Sequence, residues 1–303
     1  MTLVIDKSSP ESRLAVQPWR VVTSHDKPGD YLMAVDEALL EAVIAGGTPV
    51  VRFYTWQPAT LSLGVNQHIG EVNSEECTRR GFGLVRRLTG GRAVLHQHEL
   101  TYSVIAHEND PRVSGGVIES YRKISAALVE GLRTLGVDVR LAEPSPAVRR
   151  VVSPSAQGSA GETGEMADID NGAVCFDVAS AYEITAGGKK LVGSAQARRG
   201  GAILQHGSIL LDIDWDALVS VFAYVSEAGK QRACAKLPTR MTSLRAELGR
   251  AVSPEEVQRA LVGSFERMLS ISLTPADPSA EEEDAALRLC HQKYGAREWT
   301  YKI

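Results

Sequence analysis

The chain lacks any apolar run near the roughly 20 residues that a membrane-spanning helix needs, so no such span is expected. It has no basic surplus. Lys and Arg number 33 against 37 Asp and Glu, a net charge of -4, which argues against broad nucleic-acid binding, since that needs a basic surface. The opening residues MTLVIDKSSPESRL hold no basic stretch followed by an apolar one. No secretory signal is therefore read, and a cytoplasmic location is expected. The four cysteines, Cys77, Cys175, Cys234 and Cys290, form no C-x-x-C pair, and no H-x-x-x-H cluster is present. A disulfide framework and a zinc site are both unexpected. A cysteine that matters here matters as a single thiol. There is no internal repeat. What remains is a chain of 303 residues, 44% hydrophobic and 23% charged, long enough to bury a core without disulfides or metal.

The patterning predicts an α+β fold, with mixed sheets flanked by helices. Residues 1–17 read as a flexible arm and 18–250 as the main domain. Within it 144–172, dense in Ser, Pro, Gly and Ala, reads as a flexible loop. Residues 251–303 read as a helical segment on the same domain. Strands are expected at 19–24, 50–56, 59–64, 83–88, 93–96, 100–106, 138–143, 173–178 and 202–213. A hairpin is expected to turn at Gly187-Gly188. Helices are expected at 31–45 behind an Asp30 cap, after Asn73 with Glu76 in capping-box spacing, at 117–135, after Ser253-Pro254, and at 279–294 up to Gly295.

The segment RRLTGGRAVLHQHELTYSV (86–104) carries most of the chemistry. Thr89-Gly90-Gly91-Arg92 joins two strands. A glycine pair permits unusual torsions and close approach of a ligand, and its N–H groups can face a carboxylate, a thioester carbonyl or a phosphate. Arg86, Arg87 and Arg92 would surround that site with positive charge. A tight hairpin with solvated arginines fits the same residues. His96 and His98 alternate, so both are expected on one face, as metal ligands or acid–base groups or, since a third ligand at matching spacing is missing, as hydrogen-bonded structural side chains. Cys175 lies in AVCFDV, and a lone thiol in a strand is a small apolar residue unless a cation lowers its pKa. Lys190 opens KLVGSAQ, where Gly193, Ser194 and Ala195 leave room for an extended ligand. Gln205 and His206, in QHGSILL, line a pocket or fill a turn.

Together these pieces resemble the lipoate-protein ligase and octanoyltransferase superfamily, whose catalytic domain is related to that of biotin-protein ligases. The resemblance runs from about Trp19 to Trp299 through MAVDEALL (33–40), PATLSLGVNQ (58–67), RRLTGGRAVLH, KLVGSAQ, QHGSILLDI and KYGAREWTY (293–301). Among its subgroups the cysteine-dependent octanoyltransferases are most similar. They carry TGGRAVLH, ELTYS, a V-C-F strand and a lysine fifteen residues after the cysteine; Gln97 and His98 depart from their pattern. The resemblance implies Cys175 as nucleophile and Lys190 as its partner. It implies substrate binding by Arg87, Thr89, Gly90, Gly91, Arg92, His96, Gly193, Ser194, Ala195, Gln205 and His206. The implied reaction moves octanoyl from octanoyl–acyl carrier protein to a lysine of an apo lipoyl domain such as the glycine cleavage H protein, with no cofactor or metal. The competing reading is an ATP-dependent lipoate-protein ligase using ATP and Mg, in which Lys190 serves the phosphate and Cys175 is incidental. A non-catalytic binder of lipoyl domains is a third.

Overall fold

The structure, a computed structural model, describes residues 14–142 and 183–303. The 144–172 loop, the 173–178 strand with Cys175, and most of the N-terminal arm lie outside the described residues. The strands are β1 Gln17–Lys27, β2 Val50–Trp56, β3 Thr60–Leu63, β4 Gly83–Arg86, β5 Val94–His96, β6 Glu99–His107, β7 Val139–Leu141, β8 Ile184–Ala186, β9 Lys189–Arg199, β10 Ala202–Leu210 and β11 Ile271–Pro275. The helices, numbered in chain order, are α1 Gly29–Ile44, α2 Ser74–Arg79, α3 Val117–Thr134, α4 Trp215–Ser220, α5 Glu227–Arg240, α6 Leu244–Leu248, α7 Pro254–Leu269, α8 Ala280–Leu289 and α9 Arg297–Thr300.

Among the described residues eight strands form one mixed sheet in the order β11-β1-β2-β6-β10-β9-β8-β7, and β4-β3-β5 form a second, smaller one. In the large sheet β11, β1 and β2 run parallel, and from β2 to β7 every neighbour is antiparallel. Period-two alternation along β6 separates two cores. Leu100, Tyr102, Val104 and Ala106 join the apolar residues of α3 and α7 on one face. Ile105 on the other face joins α1, and Ser103 bonds Asp36 of that helix. A third core, with Leu61, Leu63, Ala217, Phe222 and Met241, lies between the small sheet, α4 and α5.

Local signals explain the element ends. Ser253 caps α7 by accepting from Glu256 N at 3.2 Å, with Pro254 in its first turn. Asn73 accepts from Glu76 N at 3.0 Å, while the Glu76 carboxylate bonds Arg79 and Arg80. Only half of the expected capping box forms. Helix α1 starts earlier than expected. Pro28 is its N-cap, and Asp30 sits in the first turn, where a carboxylate complements the helix dipole. Gly187 and Gly188, at φ +55° and +78°, make the two-residue hairpin turn between β8 and β9, as left-handed torsions at both positions require.

Two departures concern the C-terminal segment. Residues 271–275 add β11 to the edge of the large sheet beside β1, so the segment is not helical throughout. The helix expected at 279–294 ends as α8 at Leu289 and widens into a π-turn, Cys290–Tyr294, before Gly295. Among the described residues no helix is long and apolar enough to cross a membrane.

Candidate active site

The glycine turn between β4 and β5 is built by close approach. Gly91 has φ +90°, and a Cβ on Gly64 would lie 1.9 Å from the Gly91 carbonyl oxygen. Both positions therefore need glycine. Arg87, buried, holds the turn shut. It donates from Nη2 to the carbonyls of Gly90 (2.7 Å) and Arg92 (2.8 Å), from Nη1 to Ser62 O (3.0 Å) and Oγ (3.2 Å), and from Nε to Thr89 Oγ1 (3.2 Å). The planar fork of an arginine suits such a clamp, and lysine could not replace it.

Beneath the turn lies a buried polar cluster. Asp36, from α1, accepts from Arg52 Nη1 (2.6 Å), Tyr54 Oη (2.9 Å) and Ser103 Oγ (3.1 Å), and lies 3.1 Å from His206 Nδ1. Burial works to raise the carboxyl pKa, but Arg52 and His206 outweigh it and hold Asp36 below 3.8. Burial pushes His206 below 6.5 despite the attraction of Asp36, so its imidazole is neutral near pH 7. Its Nε2 lies 2.6 Å from Thr89 Oγ1. A second chain runs parallel. His96 Nδ1 is 2.6 Å from Glu99 Oε1, its Nε2 is 2.8 Å from Ser62 Oγ, and its ring stacks on Trp56 at 3.9 Å between centroids.

The remaining residues singled out in the sequence are divided by the pleat. Ala195 pairs with His206 and Gly193 with Ser208 across β9 and β10, so these small residues share the face of His206 and leave it open beside the turn. Ser194 and Gln205 point to the opposite face. There Tyr102 Oη donates to Ser194 Oγ (2.7 Å) and accepts from Gln205 Nε2 (3.0 Å), and Tyr121 Oη donates to the Ser194 carbonyl (3.2 Å). A Cβ on Gly207 would come within 2.4 Å of Ser194 Oγ, so glycine is needed there as well. Lys190 is buried and its Nζ bonds the Glu183 carboxylate. Cys175 lies outside the described residues.

Two expectations need correction. Arg86 does not face a ligand. It is fully buried, donating to the carbonyls of Gly64 (2.8 Å), Gln67 (2.6 Å) and Thr300 (2.8 Å). His98 does not share a face with His96, because β5 ends at His96 and the chain bends, leaving His98 exposed. Arg92 remains half-exposed, paired with Glu71 at 2.6 Å. Among the described residues no group of three His, Cys, Asp or Glu could hold a metal. Sequence reading missed Asp36, Arg52, Ser62, Glu99 and Glu183. A signal existed for the first: a carboxylate inside the otherwise apolar MAVDEALL run of α1 must find partners.

Fold comparison gives the class. The chain superposes on a bi-partite lipoate protein ligase from Thermoplasma acidophilum with a TM-score of 0.75 and 24% identity, over 94% of this chain and 96% of that one. It superposes on lipoate-protein ligase A bound with ATP at 0.73 and 27%, over 94% and 99%. The architecture is that of the lipoate-protein ligases. Residues 28–266 match the family model described as lipoyl protein ligase A/B catalytic domain. Octanoyltransferase LipM of Kyrpidia tusciae is 44% identical over 290 residues, 95% of this chain and 100% of the relative. That of Bacillus subtilis is 40% identical over 291 residues, 94% and 99%. The chain belongs to the lipoyl protein ligase A/B catalytic-domain family and, within it, to the octanoyltransferases.

Proposed function

We propose that the chain moves an octanoyl group from octanoyl–acyl carrier protein to Cys175, and from Cys175 to a lysine of an apo lipoyl domain such as the glycine cleavage H protein. The Cys175 thiolate attacks the thioester carbonyl, the new C–S bond replaces that to the carrier, and the carrier thiol leaves with a proton. The lysine amine then attacks the acyl-enzyme. An amide forms, and Cys175 recovers its thiol. Splitting the transfer in this way lowers each barrier. The thioester is already activated, so the reaction needs neither ATP nor metal. A reducing, cytoplasmic setting keeps Cys175 as a thiol.

The observation that carries this reading is the match to octanoyltransferases at full length. Lys190 supports it. Its ammonium is buried beside Glu183, and the reading sets it beside Cys175, where a cation favours the thiolate. The N–H groups of the Gly90–Gly91 turn, held by Arg87, are candidate donors to the oxyanion. The small residues Gly193 and Ala195, on the face of His206, leave space for the acyl chain.

Intact-mass measurement after incubation with octanoyl–acyl carrier protein tests the reading. The protein should gain one octanoyl group, and Cys175→Ser should gain none. The likeness to a ligase bound with ATP supports a second reading, lipoate activation by ATP. Modification of a lipoyl domain from free lipoate plus ATP, undiminished by Cys175→Ala, would favour that ligase over the transferase.

A further inference from the structure

The two buried histidines belong to two chains of the same chemical order, and both chains end on one arginine. Arg87 reaches Thr89 Oγ1 from Nε (3.2 Å) and Ser62 Oγ from Nη1 (3.2 Å). A guanidinium only donates, and a hydroxyl owns a single proton. Thr89 and Ser62 therefore accept from Arg87, and although each oxygen could accept twice, its own buried proton is paired only if it goes to the remaining close neighbour, His206 Nε2 (2.6 Å) for Thr89 and His96 Nε2 (2.8 Å) for Ser62. Each imidazole then accepts at Nε2 and carries its proton at Nδ1, where Asp36 Oδ2 (3.1 Å) and Glu99 Oε1 (2.6 Å) receive it.

The far ends agree. Asp36 accepts from Arg52, Tyr54 and Ser103. Trp56 Nε1 donates to Thr101 Oγ1 at 2.7 Å, so the Thr101 hydroxyl donates onward to Glu99 Oε1. Indole and guanidinium cannot accept, so neither chain can reverse its direction without leaving a buried donor unpaired. Both chains converge on the side chain that also holds the Gly90 and Arg92 carbonyls. They thereby fix the orientation of the turn's peptide groups.

We infer that His96 and His206 are positioning residues, each held as the neutral Nδ1–H tautomer in a carboxylate–imidazole–hydroxyl chain, and that the two chains together set the Thr89–Arg92 turn against the acyl carbonyl. The tautomers follow from the hydrogen-bond geometry once each buried donor is paired. The effect on rate rests on the transferase reading above.

Long-range proton–nitrogen NMR of the full chain, labelled in histidine, reads both tautomers directly. His96 and His206 should each show protonated Nδ1 and unprotonated Nε2 near neutral pH. Either ring protonated at Nε2, alone or as the cation, would overturn the inference. Thr89→Val removes the hydroxyl that bridges Arg87 to His206. It should lower the turnover of octanoyl transfer by about ten- to a hundredfold, the scale of a small misplacement of reacting groups, with little change in KM for the carrier. Thr89→Ser should restore most of that loss. Wild-type turnover in Thr89→Val would also overturn it. If the chain transfers no octanoyl group at all, the proposed reaction fails while the NMR measurement still decides the tautomers.

Discussion

At Asp36 a carboxylate sits where water cannot reach it, and four donors surround it instead. The Arg52–Asp36 pair is buried on both sides, with side-chain exposures of 0% and 2%. Removing one member leaves a charge without compensation. Arg52→Met should therefore destabilise the protein by about 3–5 kcal/mol, read by urea denaturation. His206 adds a pH dependence of known sign. Its folded pKa lies below 6.5, because burial outweighs Asp36 while Arg87 adds repulsion. Below pH 6.5 the unfolded chain takes up a proton that the folded one refuses, so the unfolded state binds more protons and stability decreases as the pH is lowered. The contribution is fully present above 6.5 and is lost progressively toward the folded value. Asp36 acts in the same direction further down, its contribution present above 3.8 and lost below that as its carboxyl is protonated. Denaturant titrations at about pH 7.5 and about pH 5.5 should show lower stability at the acid end, and His206→Asn should reduce the difference.

The small sheet works as an element because its backbone approaches the glycine turn more closely than any side chain allows. Val65 N donates to the Thr89 carbonyl at 2.9 Å, and Gly64 sits against Gly91. Gly64→Ala would force the turn away from β3. The expected cost is about 1–3 kcal/mol, with the fold retained by circular dichroism. Octanoyl transfer should fall far more than that stability change explains, since about an ångström of displacement at a reacting centre costs up to a hundredfold in rate. A variant that melts lower but transfers at the wild-type rate would separate the turn from the chemistry.

Across the whole molecule, the last residues close the structure around the face that carries the site. Trp299 Nε1 donates to the Arg86 carbonyl at 2.8 Å, Arg86 donates to Thr300 O, and Ile69 N donates to Ile303 O at 3.0 Å. Lys293 and Tyr294 both bond the buried Glu37 carboxylate of α1, each at 2.7 Å. Deleting 296–303 would strip Arg86 of part of its acceptors and uncover the core beside α1. A loss of at least about 3 kcal/mol is expected from the uncompensated buried charge, seen as a lower denaturant midpoint. An unchanged midpoint would show that the tail only covers the surface.

Much of this was legible in the residues themselves. Period-two and helical patterns placed most strands and helices, Gly187-Gly188 marked a hairpin, and Ser253-Pro254 marked a helix start, because each depends on torsions and caps within a few residues. The glycine turn and the KLVGSAQ strand were legible as the segments that carry chemistry. What the sequence could not show is which side chains meet. Arg86, Arg87 and Arg92 are neighbours of one type, yet one clamps the C-terminal tail, one organises the turn and one pairs with Glu71 at the surface. Gln205 and His206 are adjacent but face opposite cores. Asp36 and His206 stand 170 positions apart and meet because α1 lies on the face to which β10 turns His206. Local torsional preferences act over a few bonds, so the sequence determines the elements. The partners of a buried charge depend on how those elements stack, and only the tertiary structure decides that.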